Sequence, residues 1–177
     1  LGLKYGLMAR FHKLTKLYAE RAFPGMYWYF LARTKHLDHL LATAVAEGAE
    51  QVVLLGAGYD TRACRFEGDL AGTRVFEVDL RATQERKRAR LDREPPSNVT
   101  YVDIDFTRQS LRETLVAAGF DPNRKTFFNW EGVTYYLPEH AALEVLEFVR
   151  TSSARGSTIA FDYMLRSLVD GDTSTYG

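Results

Sequence analysis

Residues 51–80 read QVVLLGAGYDTRACRFEGDLAGTRVFEVDL, and two features of that stretch decide the fold. The apolar run Val52, Val53, Leu54 and Leu55 is too short for a helix and leads straight into Gly56-Ala57-Gly58. That is the pattern of a buried parallel strand ending in a tight turn. A second apolar run, 75–78, ends at Asp79. Glycine accepts backbone angles closed to other residues and lets a ligand approach the chain. In open α/β sheets the crevice at the carboxyl ends of the strands is where ligands bind. An acidic residue ending the second strand can accept both hydroxyls of a ribose. The pair points to a cofactor that contains adenosine.

A dinucleotide site calls for a third glycine, so that a helix can pack close to the pyrophosphate. Here Thr61 stands in its place, and Asp60 puts a carboxylate beside the turn. Both features argue against NAD and for a nucleoside cofactor without phosphate. A nicotinamide-dependent oxidoreductase is the competing enzyme class. It is disfavoured further by the lack of a Tyr-x-x-x-Lys pair or other hydride-transfer constellation.

Four stretches in order, LARTKHLDHLL, LGAGYDTRACRF, FEVDL and NWEGVTYYL, resemble the leucine carboxyl methyltransferase-like family of S-adenosylmethionine-dependent methyltransferases, including its bacterial O-methyltransferase branch. The resemblance covers 25–163. It implies an α/β class I methyltransferase fold, with a Rossmann-like, doubly wound, mostly parallel sheet and N-terminal helices. It also implies two further strands after the fifth, which this sequence does not supply, so the core is expected to be C-terminally incomplete. The domain reading is N-terminal helices over the cofactor site in 1–48 and the S-adenosylmethionine-binding core in 49–177.

Upstream of the turn, Leu3, Leu7, Phe11, Leu14 and Tyr18 recur at helical spacing among basic residues, predicting an amphipathic helix over 1–23. Pro24-Gly25 breaks it. A second helix is expected from Met26 to near Gly48, with Met26, Phe30, Leu31, Leu37, Leu41 and Ala44 on its apolar repeat. Arg33 lies on the same helix. A half-buried arginine needs an anion, and the resemblance implies that Arg33 meets the carboxylate of the cofactor's methionine part. The alternative is an ordinary surface arginine. His36 and His39 are three apart, but no carboxylate or cysteine set completes a metal site around them.

Downstream, 81–94 carries dense charge of both signs and reads as a solvent-facing helix, ended by Pro95-Pro96. Residues 98–106 form a third strand closing on Asp103 and Asp105. A carboxylate there can accept from the adenine amino group while an apolar neighbour covers the ring. The resemblance favours Asp105 with Phe106, with Asp103 as the alternative for a shifted register. Both carboxylates could instead cap the next helix, expected over 107–118. Residues 125–136 carry the fourth strand, which Glu131 leaves at the crevice mouth. The resemblance places Glu131 in the cofactor pocket and Tyr135 or Tyr136 on the substrate side, core packing being the other reading of the tyrosines. After Pro138 comes a helix with Leu143, Leu146 and Val149 on its buried stripe, then a fifth strand over 157–163.

The cofactor-binding set is therefore Arg33, Gly56, Ala57, Gly58, Asp79, Leu80, Asp105, Phe106 and Glu131. No metal is expected, and no catalytic side chain is assigned. A carboxylate acceptor is already ionised at neutral pH and needs no general base. A hydroxyl acceptor would need one, and His140 is the only histidine near a strand's carboxyl end.

The composition agrees with a folded α/β enzyme. The 177 residues are 46% hydrophobic and balance 23 Lys plus Arg against 23 Asp plus Glu. That balance gives no electrostatic reason to expect nucleic acid or an anionic membrane as partner. A single cysteine, Cys64, rules out an internal disulfide, fits a reducing compartment and reads as a small buried hydrophobe. A cytoplasmic protein is expected, with a small molecule or a protein C-terminal carboxylate as acceptor. A non-catalytic cofactor-binding relative is the remaining alternative. Oligomeric state is left open by the sequence.

Overall fold

In the computed structural model, which describes residues 20–165, 167 and 170, the run Gln51–Leu55 is the central strand, β1, of a five-stranded sheet. The other strands are β2 (Arg74–Asp79), β3 (Val99–Asp103), β4 (Thr126–Trp130) and β5 (Thr158–Phe161). Their order is β3-β2-β1-β4-β5, and every neighbouring pair is parallel. Parallel pairing requires crossovers, supplied by α2 (Arg62–Arg65), α3 (Arg81–Arg88), α4 (Leu111–Ala117) and α5 (Glu139–Thr151). An earlier helix, α1, spans Met26–Ala46.

The residues of β1 are buried on both faces, which is why its sequence is apolar without alternation. Successive side chains still point to opposite sides. Val53 and Leu55 join Phe76, Val78, Phe128 and Trp130 in one core cluster. Val52 and Leu54 join Val75, Phe127, Leu41 and Ala44 in a second. The sheet is the partition between them.

The chain divides into two compact units, Leu1–His39 and Leu40–Gly177. The first 19 residues, where an amphipathic helix is expected, lie outside the described ones. In α1 the expected apolar stripe splits. Leu41 and Ala44 are buried, whereas Met26, Phe30 and Leu31 are exposed.

Three sequence expectations shift. The third crossover helix begins at Leu111 instead of 107, because Ser110 supplies the cap, its hydroxyl accepting from the Glu113 backbone N–H. Leu143 is exposed, and the buried stripe of α5 runs through Ala141, Val145, Phe148 and Val149. The helix after Asp79 ends at Arg88 and is not wholly solvent-facing. Lys87 is buried, its ammonium 2.5 Å from the buried Glu77 carboxylate on β2. Gln84 beside it donates to the carbonyls of Glu77 and Val102. These groups fasten α3 to the sheet below the crevice. Desolvation pushes the Glu77 carboxyl up, against the opposing pull of Lys87.

Candidate functional site

The strand order turns at the boundary between β1 and β4. After β1 the chain runs to β2 and β3 on one side, then crosses to β4 and β5 on the other. Loops leaving β1 and β4 diverge there and open a crevice at the carboxyl ends of the strands. The glycine turn stands on one lip and Glu131 on the other.

The turn needs its glycines. Gly56 has φ 64° and Gly58 φ 47°, in the left-handed region that other residues avoid. A Cβ on Gly56 would lie 3.1 Å from Cγ1 and 3.3 Å from Cβ of Val133, and closer still to its Cγ2. The β1 turn and the segment after Glu131 thus touch through the space a side chain would fill. At Gly58 the corresponding Cβ would meet only the Gly56 carbonyl, at 3.8 Å, so that side is open to an approaching group. Between them Ala57 is buried, and its N–H donates to the Val78 carbonyl.

Asp79 ties this turn to the end of β2. Its Oδ2 accepts from the Gly58 N–H at 2.7 Å, and its Oδ1 accepts from the Leu80 N–H at 2.7 Å. Each carboxylate oxygen has two acceptor sites, so one remains on each for a further donor. Leu80 beside it is half exposed and offers an apolar surface at the same strand end.

At the end of β3 the two aspartates behave differently. Asp103 accepts from both the backbone N–H and the Nε of Arg81, at 2.8 and 2.9 Å, which holds its carboxyl below the usual range. Asp105 accepts from the hydroxyl and backbone N–H of Thr107, at 2.6 and 2.9 Å, with the same effect on its carboxyl. Asp105 therefore closes a local turn and caps no helix, because the next helix starts at Leu111 on Ser110; the capping alternative of the sequence is not met. Phe106 is half-buried against the core cluster.

On the other lip, Glu131 follows the last residue of β4. Its Oε2 lies 2.7 Å from Nη1 of Arg62, which also meets Asp60 Oδ2 at 2.5 Å. Asp60 Oδ1 accepts from the Arg62 backbone N–H. The Arg62 side chain is only 2% exposed. Burial alone would pull its pKa down, but the Asp60 and Glu131 charges outweigh that and hold the guanidinium above its ordinary value. Asp60 is thus matched by a cation, and it does not stand as the unbalanced negative charge that the sequence argument against a pyrophosphate assumed. Gly132 donates to Asp162 Oδ1 and Thr134 to the Asp162 carbonyl, so the end of β5 braces the Glu131 loop.

Residues after α3 brace the first lip. Arg90 stacks over Tyr59 at 5.2 Å and donates to its hydroxyl at 2.8 Å. Arg93 meets Glu67 at 2.6 Å and the Cys64 carbonyl at 3.4 Å. Sequence reasoning missed Arg62, Arg90 and Arg93 as parts of the site. Only the position of Arg62 within the DTR of the turn hinted at any of them.

The structure brings Gly56, Ala57, Gly58, Asp79, Leu80 and Glu131 to one crevice, with Asp105 and Phe106 following β3 on the β2 side. Arg33 belongs to the other compact unit. There it is half-buried, its guanidinium 5.1 Å from the Phe30 ring and 5.7 Å from that of Tyr29. Tyr135 is half-buried and packs at a tilt against the exposed Tyr136 with ring centroids 4.7 Å apart, past Glu131 in the same loop. His140 is exposed at the start of α5, and Cys64 is half-buried instead of buried. Among the described residues no group of three or more His, Cys, Asp or Glu is placed to hold a metal ion. No described helix is long and apolar enough to cross a membrane.

A parallel sheet of this order, with a glycine turn at its switch point and an acid ending the adjacent strand, defines a Rossmann-like α/β protein. The profile of the leucine carboxyl methyltransferase family matches residues 6–150, and the chain belongs to that family. Similar proteins carry names that assign them to the S-adenosyl-L-methionine-dependent methyltransferases. One, from Frankia alni, is 43% identical over 147 residues, 78% of this chain and 49% of its own length. Another, from Streptomyces avermitilis, is 40% identical over 147 residues, with the same shares. Bacillus subtilis YktD is 35% identical over 136 residues, 75% of this chain and 44% of its own length. The chain spans about half the length of these curated relatives. Among solved structures, a methyltransferase-like protein of Thermobifida fusca has a TM-score of 0.61 at 21% identity, covering 86% of this chain and 61% of that one. The glycopeptide N-methyltransferase MtfA, solved with S-adenosyl-L-methionine, gives 0.51 at 19% identity over 70% of this chain and 51% of its own. At those identities the likeness is one of fold.

Proposed function

We propose that this chain carries the S-adenosyl-L-methionine site of a methyltransferase that transfers the methyl group to oxygen, on a carboxylate or hydroxyl of a small molecule or a protein C-terminus. The observation that carries the reading is the Asp79 carboxylate joined to the Gly58 N–H across the mouth of β1. It presents an acceptor pair for a ribose beside a turn open to close approach.

Strand order supports a direction for the ligand. Neighbouring strands are about 4.8 Å apart, so a molecule lying across β3, β2, β1 and β4 meets four strand ends in turn. Adenine would face Phe106 and the Asp105 turn, with the ribose on Asp79 and Leu80. The thioether portion would lie over Gly56-Ala57-Gly58, and the amino-acid end by Glu131. The family resemblance, not the strand order, is what assigns the methionine carboxylate to Arg33.

When bound, the cofactor supplies an electrophilic methyl on a sulfonium. The chain's own residues hold the reacting centres in line and keep water out, an orientation effect worth about 7–11 kcal/mol in favourable cases. A carboxylate acceptor would need no base, which agrees with the exposed position of His140. The reading includes a cytoplasmic setting and no metal.

Isothermal titration with S-adenosylhomocysteine, with NAD in parallel, tests this. Micromolar affinity for the first and none for the second is the expected result. Binding of NAD alone overturns the assignment. A screen of carboxylate and hydroxyl acceptors with labelled S-adenosylmethionine then tests the oxygen-transfer reading.

A further inference from the structure

Arg62 is the largest charged side chain buried in this crevice, and nothing in the ribose or adenine contacts requires it. Its guanidinium joins the two loops that part at the switch point, meeting Asp60 after β1 at 2.5 Å and Glu131 after β4 at 2.7 Å. Both carboxylates are themselves 13% exposed. A buried ion network of this kind is a weak source of stability compared with an apolar core. What it does supply is geometry, because one nitrogen, Nη1, lies between the two carboxylates and so sets the Glu131 oxygen relative to Asp60. The Asp60 arm is fixed a second time by the Arg62 backbone N–H, at 2.7 Å. Asp60 and Arg62 therefore form one rigid piece, and Glu131 is the member that the arginine positions across the gap.

We propose that Arg62 is a positioning residue for the amino-acid half of the cofactor. It holds the Glu131 carboxylate on the β4 lip so that a ligand ammonium meets it, while the adenosine half is held independently by Asp79 and the glycine turn. The inference rests on the cofactor assignment above, and it predicts that the two halves of the ligand respond differently to loss of Arg62.

Two ligands separate the halves. S-adenosylhomocysteine carries the amino acid, and methylthioadenosine keeps the nucleoside and thioether without it. Arg62→Met should weaken S-adenosylhomocysteine by about tenfold or more, the scale of a misplaced charge-assisted contact. Methylthioadenosine should lose less than about threefold, because Gly58 and Asp79 do not touch the arginine. Arg62→Lys, which keeps the charge without the planar fork, should fall between the wild type and Arg62→Met. In a Glu131→Gln background, Arg62→Met should add less than about threefold, since the group it positions has already been neutralised.

Equal losses for both ligands, or full additivity with Glu131→Gln, would make Arg62 a structural residue only and overturn the inference. Should thermal melting show that Arg62→Met does not fold, Arg62→Lys and Glu131→Gln complete the same cycle. A wild-type protein that binds neither ligand refutes the cofactor assignment, and this inference with it. A wild type that binds both, with equal losses in the variants, refutes only the role of Arg62.

Discussion

Replacing Gly56 with alanine should damage both the fold and the crevice, by an amount that can be divided between two causes. The backbone there has φ 64°, and an L-residue in the left-handed region costs about 1–2 kcal/mol. The added methyl would also sit 3.1 Å from Cγ1 and 3.3 Å from Cβ of Val133. Rotating the valine moves its Cγ atoms but leaves its Cβ at 3.3 Å, and a β-branched side chain has few rotamers in which to find room. The loop after Glu131 must move, at an overpacking cost of about 1–3 kcal/mol. Together these amount to about 2–5 kcal/mol, or roughly 5–15 °C in melting temperature for a chain of this size. Calorimetry of Gly56→Ala, Val133→Ala and the double variant separates the parts. Val133→Ala removes the two Cγ contacts, the closest ones, and leaves the milder Cβ contact and the backbone strain, so the double variant should be more stable than the sum of the two single losses by about 1–3 kcal/mol. S-adenosylhomocysteine affinity should recover with it, because the displaced segment carries Glu131. An unchanged melting temperature, or strict additivity of the two substitutions, would refute the reasoning.

Three further outcomes are expected. Asp79→Ala should weaken S-adenosylhomocysteine by about ten- to a hundredfold, since a charged acceptor is lost both to the ligand and to the Gly58 N–H; unchanged affinity in titration calorimetry would place the ribose elsewhere. Lys87→Met should cost about 3–5 kcal/mol by leaving the Glu77 carboxylate buried without its cation. Adding Glu77→Gln should restore most of that loss in chemical denaturation, and failure to do so would show that the pair matters through packing alone. Burial, with the Glu77 charge behind it, pushes the Tyr101 phenol up to about 12 from its ordinary value of 10.0. The neutral phenol is favoured in the folded state, so its contribution is complete below pH 10 and is lost as pH rises through about 12. Tyr101→Phe should abolish that part of the alkaline loss of stability, and a spectrophotometric titration in which every tyrosine ionises near 10 would contradict the shift.

Much of the fold could be read directly because periodicity and turn chemistry are local. The unbroken apolar run 52–55 could be stable only as a strand covered on both faces, and the glycines after it could only turn. Asp79 was legible for the same reason, as an acid ending the next strand. Asp105 was legible as a position, but the helix-capping reading of it failed, because Ser110 caps that helix and Asp105 closes the Thr107 turn instead. Leu143 was misread because a three-residue spacing alone does not say which side of α5 meets the core.

The charged residues mark the limit. Residues 81–94 contain charges of both signs in nearly every turn, and nothing in their spacing says that Lys87 will be buried on Glu77 while Arg90 and Arg93 reach back to the β1 loop. The sequence by itself determined the sheet, its parallel connections and the glycine turn, since these follow from hydrophobic period and from backbone angles that few residues can adopt. Only the tertiary structure decided that Asp60, Arg62 and Glu131 form one buried ionic link across the crevice. Glu131 lies 69 positions beyond Arg62, and a Coulombic contact depends on distance in space, which the strand order sets when it brings β1 beside β4.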